Sequence, residues 1–302
     1  MTANPLAIVG ATATGKSALA LAAARVHPGI EIVAADAMQV YRDMDIGTAK
    51  PTAAEQREVP HHAIDLVDPS ETFTVTRYRL AAERALTDIA ERGRLALLVG
   101  GSGLYVRAVV DRLTPPGEWP DVRAELDAES DTGALHRRLQ QLDPAAATKT
   151  TPQNRRRIVR ALEVTVGSGR PFSSFGPGLH AYPESAIAQI GLRVARPALA
   201  TRIEQRVHQM IAAGLLDEVR TLAARPRGLS RTARQALGYK ELLDHLDGQV
   251  SLDEAVARIV VRTRQFAARQ ERWFRRDPRI RWISVDDGPG PALAELERAV
   301  LR

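Results

Sequence analysis

The 302-residue chain carries 42 Lys and Arg against 36 Asp and Glu, a net charge of +6 and a pI near 10.0, a length that accommodates an α/β core with one appendage. It contains no cysteine, which excludes disulfides, thiolate catalysis and cysteine zinc sites and fits a reducing compartment. No run approaches the roughly 18 apolar residues of a membrane helix, so the expectation is a cytoplasmic protein with no membrane partner, a monomer by default.

In chain order, the apolar run Leu6 to Val9 leads into Gly10-Ala11-Thr12-Ala13-Thr14-Gly15-Lys16-Ser17 and then an alanine-rich helical stretch to Val26. Strand, glycine loop and helix in that order make a phosphate-binding loop. Its backbone amides and helix N-terminus point at one anion, Lys16 adds a full charge, and Ser17 is placed to ligate Mg2+. A polyphosphate or diphosphate is the expected ligand. Ile30 to Ala35 reads as a buried strand ending in Asp36, a candidate general base or metal ligand, because neighbouring strand ends of a parallel sheet converge on one crevice. His61-His62 carries no metal expectation, since adjacent strand residues face opposite sides. A helix over Val75 to Ala90 precedes the strand Leu95 to Val99, which ends in the glycine turn Gly100-Gly101-Ser102-Gly103-Leu104-Tyr105. An ATP-hydrolysing protein usually carries an acid at such a strand end, and Gly100 stands there instead. The alternation predicts a doubly wound parallel sheet flanked by helices, an α/β fold.

From Thr114-Pro115-Pro116-Gly117 the pattern becomes short helices rich in Arg, Ala and Glu, so residues 114–183 read as an inserted all-helical subdomain within a core of 1–113 and 184–302. Arg155, Arg156, Arg157 and Arg160 open one of its helices. Ala188 to Val194 returns to the sheet, helical periodicity runs from Arg196 to Leu222, and Ala236-Leu237-Gly238-Tyr239-Lys240-Glu241 starts a further helix pair. Residues 258–281 read as a cationic helix with nine arginines against Glu271 and Asp277; Ile259, Thr263, Phe266, Gln270 and Trp273 line its less charged stripe. Two arginine clusters beside a phosphate loop favour a nucleic-acid partner.

These motifs, with Asp36-Ala37-Met38-Gln39-Val40-Tyr41, Gly47-Thr48-Ala49-Lys50, Pro60-His61-His62, Arg160-Ala161-Leu162-Glu163 and Thr263-Arg264-Gln265, together resemble the bacterial tRNA dimethylallyltransferases, in order over nearly the whole chain. The resemblance implies transfer of a dimethylallyl group from dimethylallyl diphosphate to N6 of the adenosine 3′ of the anticodon in a tRNA stem-loop, with Mg2+ as cofactor. It implies diphosphate contacts from Thr12 to Ser17 within the Gly10 to Ser17 loop, and adenosine contacts from Asp36, Ala37, Met38 and Gln39. Further tRNA contacts fall on Ser102, Arg123, Arg156, Arg157, Ile158, Val159 and Arg160. Asp36 is the candidate base for the amine proton, with Lys16 and Ser17 stabilising the leaving group. Ala11 stands where the family commonly has Pro and Ala37 where it often has Ser, which bears on fine contacts to adenine. The zinc finger of eukaryotic members is absent.

Two other readings compete. A small-molecule or nucleoside kinase uses the same loop to cradle ATP. A non-catalytic RNA-binding protein uses nucleotide only as a switch.

Overall fold

The computed structural model describes residues 4–176 and 178–300. Six strands, β1 (Leu6–Gly10), β2 (Ile30–Ala34), β3 (His61–His62), β4 (Leu95–Gly100), β5 (Ala188–Arg193) and β6 (Ile280–Ser284), form one parallel sheet in the order β3-β2-β4-β1-β5-β6. β1, β2 and β4 are buried along their whole length, as strands covered on both faces must be. Their residues alternate between two cores. Leu95, Leu97 and Val99 of β4 meet α1 (Lys16–Val26) and α13 (Gly290–Val300), joined by Leu199 and Ile203 of α9 (Arg196–Ala212). Ala96 and Leu98 meet α3 (Val75–Glu91), α4 (Gly103–Val110), α10 (Leu215–Ala223), α11 (Tyr239–Leu246) and α12 (Leu252–Phe274).

The chain divides into two compact units, residues 1–113 with 184–302 and residues 114–183. In the second, α5 (Pro120–Ala128), α6 (Thr132–Leu142), α7 (Pro144–Thr148) and α8 (Arg155–Ser168) enclose Leu126, Leu135, Leu139, Ile158 and Leu162. Gly167 is required there, because a Cβ would lie 2.2 Å from the Trp119 ring. Glu163, 3% exposed, accepts the Trp119 N–H at 3.0 Å and pairs with Arg160 at 2.9 Å and Arg123 at 3.4 Å.

Two expectations change here. The cationic segment is not one helix: α12 ends at Phe274, and β6 begins at Ile280 beyond Asp277-Pro278, where proline cannot continue a helix. Arg279 is tied to Asp277 and Asp111, and Arg281 pairs with Glu295. The second change concerns the site: β4 lies between β1 and β2, so the phosphate loop and Asp36 are not on neighbouring strands. At the usual strand spacing they stand about 10 Å apart.

His61 and His62 play structural parts. His61 Nδ1 lies 2.7 Å from the Val59 carbonyl, and His62 Nε2 lies 2.6 Å from the Glu31 carboxylate, which also binds Arg92 at 2.7 Å and Arg94 at 3.3 Å. Burial works to raise the Glu31 carboxyl, but hydrogen bonds from His62 and Arg92 overcome it and hold the group below its ordinary value. A depressed carboxyl stabilises the fold above its unfolded pKa, and the gain is lost as pH falls through the folded value. Glu31→Gln is therefore expected to cost about 1–3 kcal/mol at pH 7, in line with hydrogen bonds to a charged group. The gap from the parent should narrow below about pH 4.5. Urea unfolding at pH 7 and pH 4 measures it; an equal gap at both would remove the charge from the explanation.

Candidate active site

The glycine loop starts where β1 ends. At Gly10 φ is +147°, and a Cβ there would sit 2.7 Å from the Leu192 carbonyl oxygen, so the backbone passes too close to β5 for any side chain. Ala13 at φ +62° and Gly15 at φ +94° are left-handed, the alternation that curls a loop into an anion nest. Gly15 caps α1 without a side-chain bond, and the N–H groups of Ala13, Thr14, Gly15, Lys16 and Ser17 have no acceptor among the described residues. These donors and the helix N-terminus are available to an anion.

Other atoms of the loop are already committed. Thr12 N–H donates to Gln270 Oε1 at 2.8 Å, so it is not free for phosphate as the sequence suggested. Thr14 and Ala11 are buried, and the Ala11 carbonyl accepts both Thr14 Oγ1 at 2.9 Å and Lys16 Nζ at 2.6 Å. Lys16 thus folds back onto its own loop. The Lys16 ammonium is lowered to about 7, by burial first and then by the Arg206 guanidinium; the Asp36 carboxylate opposes the shift. Arg206, on α9, is itself held below its usual value by burial and raised by Asp36, and it makes no ion pair among the described residues. Two cations and one carboxylate thus share one crowded region. An anion would correct the imbalance. Arg206 escaped the sequence reading because it lies in an ordinary mixed-charge helix and acquires meaning only when α9 packs beside the loop.

Ser17 is exposed, and its hydroxyl has no partner among the described residues, as a metal-ligating hydroxyl requires. No group of three or more His, Asp or Glu is arranged to hold a metal among the described residues. A single hydroxyl beside an anion nest suits Mg2+, which commonly takes one or two protein ligands and completes its shell with phosphate oxygens and water.

Asp36 follows β2. Its Oδ1 accepts the Met38 N–H at 2.8 Å, fixing the carboxylate in a turn, while Oδ2 has no partner among the described residues. The adjacent Ala37 N–H donates to Ser102 Oγ at 3.1 Å, so Ser102 orients this turn from the end of β4. Beneath it Tyr78 and Tyr105 stack with ring centroids 4.2 Å apart, and Tyr78 donates to the Ala34 carbonyl at 3.0 Å. Burial raises both phenols above their ordinary values and keeps them protonated.

The segment after Asp36 is fastened to the core. Gln39 Nε2 donates to the carbonyls of Thr48 and Ala49 at 3.1 Å each. Lys50 Nζ reaches the Tyr41 carbonyl at 2.8 Å and Asp45 and Asp65 at 2.6 Å each. Glu218 accepts from the amides of Asp45, Ile46 and Gly47 and from Tyr239 O–H at 2.5 Å. This absorbs the Gly-Thr-Ala-Lys and Gly-Tyr-Lys-Glu motifs into loop support. Gln39 serves that support, and Met38 is partly buried against the core.

Between loop and carboxylate lies the end of β4. A Cβ at Gly100 would meet the Ala35 carbonyl oxygen at 2.1 Å, so no acidic side chain fits where an ATP-hydrolysing site would place one.

In the helical unit, the sequence-predicted RNA contacts separate. Ile158 and Val159 are 0% and 1% exposed and fill the core, so their side chains do not reach solvent. Arg160 binds the carbonyls of Pro116 and Gly117, and Arg155 those of Leu126, Asp127 and Glu129. Arg156 and Arg157 are exposed without a partner among the described residues. Their position in the first turn of α8, where the helix dipole disfavours cations, suits a surface meant for an anion. On α12, Arg262, Arg264 and Arg275 are paired with Glu241, Glu204 and Glu271, while Arg258, Arg269 and Arg272 are exposed without a carboxylate partner among the described residues.

The sequence profile described as IPP transferase matches residues 39–277, and that described as isopentenyl transferase matches residues 4–65. The chain belongs to the IPP transferase family. A tRNA dimethylallyltransferase of Kineococcus radiotolerans is 50% identical, covering 98% of this chain and 95% of the relative; one of Streptomyces coelicolor is 50% identical over 98% and 96%. The full-length tRNA isopentenylpyrophosphate transferase from Bacillus halodurans superposes with a TM-score of 0.71 at 40% identity, covering 99% of this chain and 95% of that one. A eukaryotic dimethylallyltransferase acting on tRNA superposes with a TM-score of 0.79 at 26% identity, covering 94% of this chain and 74% of that one. The transferase family thus shares the doubly wound fold seen here.

A lysine that titrates near neutrality gives this site a pH signature. In 13C NMR of the free protein, the Lys16 Cε resonance is expected to titrate near pH 7. Arg206→Gln removes a repulsive neighbour and should move the midpoint upward; inorganic pyrophosphate should move it further still. Anion affinity in the parent should fall as pH rises past 7. Titration at an ordinary lysine value in the free parent would refute the crowding of charge.

Proposed function

We propose that this chain transfers a dimethylallyl group from dimethylallyl diphosphate to N6 of the adenosine 3′-adjacent to the anticodon in tRNA and releases diphosphate. The observation that carries this reading is the end of β4, where Gly100 places no side chain between a cationic glycine loop and a fixed carboxylate about 10 Å away by strand spacing. A nucleophilic amine and a carbon bearing a diphosphate fit that interval. Identity of 50% to tRNA dimethylallyltransferases over 98% of the chain supports the same activity.

In this scheme the free amides from Ala13 to Ser17, Lys16 and Arg206 hold the diphosphate. Lys16 exchanges its bond to the Ala11 carbonyl for phosphate oxygens, and the anion restores its charge. The N6–C1 bond forms as the bond from C1 to the bridging oxygen breaks, and the electron pair leaves with the diphosphate. Preorganised positive potential favours that developing charge. Asp36, held by Met38 N–H, accepts the N6 proton on its free oxygen. Ser17 would hold Mg2+, which when bound adds Lewis-acid stabilisation of the leaving group. Arg156, Arg157 and the unpaired arginines of α12 supply phosphate contacts for the RNA, at positions accessible to solvent. Reaching N6 requires the target base to leave its stack, at a cost of a few kcal/mol.

Asp36→Ala should reduce single-turnover prenyl transfer by about 10² to 10⁴ while leaving pyrophosphate binding intact or tighter, because a negative charge beside the anion is gone. Labelled dimethylallyl diphosphate with tRNA, run beside γ-labelled ATP, measures it. Phosphoryl transfer without prenylated RNA would return the kinase reading.

A further inference from the structure

Gln270 is a buried polar side chain, 6% exposed, on the sheet-facing side of α12, and both ends of its amide are used. Oε1 accepts Thr12 N–H from the phosphate loop at 2.8 Å; Nε2 donates to the Gly101 carbonyl of the second glycine turn at 2.8 Å. The two contacts span 258 and 169 residues of sequence. The second glycine turn packs closely against α12. A Cβ on Gly101 would lie 2.4 Å from Gln270 Nε2, and one on Gly103 would lie 2.1 Å from the Trp273 ring, one helical turn further along α12. The next residue of that second turn, Ser102, accepts the Ala37 N–H beside Asp36. A chain of hydrogen bonds therefore runs from the loop that grips the leaving group, through Gln270 and the end of β4, to the turn that carries the base.

We propose that Gln270 is a positioning residue that keys the phosphate loop to the Asp36 turn, setting the separation of leaving group and base through Thr12 and Gly101. This rests on the prenyl-transfer reading for its kinetic consequence, but not for its structural one. An amide is the side chain that presents one acceptor and one donor in fixed relation. A carboxylate can accept from Thr12, yet its second oxygen faces the Gly101 carbonyl and adds negative charge beside the anion site. A protonated carboxyl restores the donor.

The test uses the full chain with Gln270→Leu and Gln270→Glu. In Gln270→Leu, hydrogen exchange at the Thr12 amide should accelerate in the free protein. Single-turnover transfer at saturating donor and tRNA should fall by about 10²-fold, the scale of a roughly 1 Å misplacement, with a smaller change in pyrophosphate affinity. Gln270→Glu should bind inorganic pyrophosphate more weakly than Gln270→Leu at pH 8, and its affinity relative to the parent should recover as pH falls toward 5.5. A structural role alone would lower the melting temperature and leave that pH recovery absent. Unchanged Thr12 exchange in Gln270→Leu, or pH-independent relative affinity in Gln270→Glu, would overturn the proposal. Should Gln270→Leu fail to fold, the Gln270→Glu pH profile decides alone. Parent protein that binds pyrophosphate but transfers no prenyl group would sink the transfer reading while leaving the exchange and pyrophosphate results to judge Gln270.

Discussion

The site is organised around an excess of positive charge that the protein does not neutralise for itself. Arg206 lies close enough to depress the Lys16 ammonium, burial depresses both cations, and the nearby carboxylate, Asp36, only partly compensates. Such an arrangement is costly in the free protein and becomes favourable when an anion arrives. The surrounding structure has to keep the cations from relaxing apart. On the Lys16 side it does so through a constrained backbone: Gly10 packed against β5, left-handed Ala13 and Gly15, and a Thr12 peptide held by Gln270.

The other half of the site is built with neutral contacts and local charge pairs. Asp36 is fixed by a backbone amide, the phenols below it stay protonated, and the segment that follows is tied down by Lys50 and Glu218. Those supporting charges find partners within the loop itself. Loop and carboxylate thus have opposite designs, one left unsatisfied to attract a ligand and the other satisfied so that a single oxygen stays free.

Much of this was legible before any coordinates. The strand, glycine loop and helix sequence located the loop whose amides stand unpaired among the described residues, and the apolar runs ending in Asp36 and Gly100 located two further strand ends. What periodicity could not show was strand order. Sequence neighbours are the natural guess for spatial neighbours, yet β4 intervenes between β1 and β2, and that insertion turns a contact into an interval. Arg206 and Gln270 were invisible as site residues for a related reason, since each sits on a helix whose local pattern is complete without them. The short edge strand β6 was hidden by its Arg and Trp content and by the arginine run before it. Among the arginines, sequence gave the clustering but not the division of labour: Arg155 and Arg160 cap and brace the helical unit, and Arg156 and Arg157 remain accessible.

The tight approach of Gly100 to the Ala35 carbonyl also bears on how such a site can diverge. Nucleotide hydrolases and this transferase share a loop, so a single acidic replacement looks like a short evolutionary step between them. Here the step is blocked by geometry, because the first carbon of any new side chain would collide with the main chain of the adjacent strand. Acquiring a hydrolase-like acid would demand that two central strands separate, a change to the sheet itself and beyond the reach of point substitution.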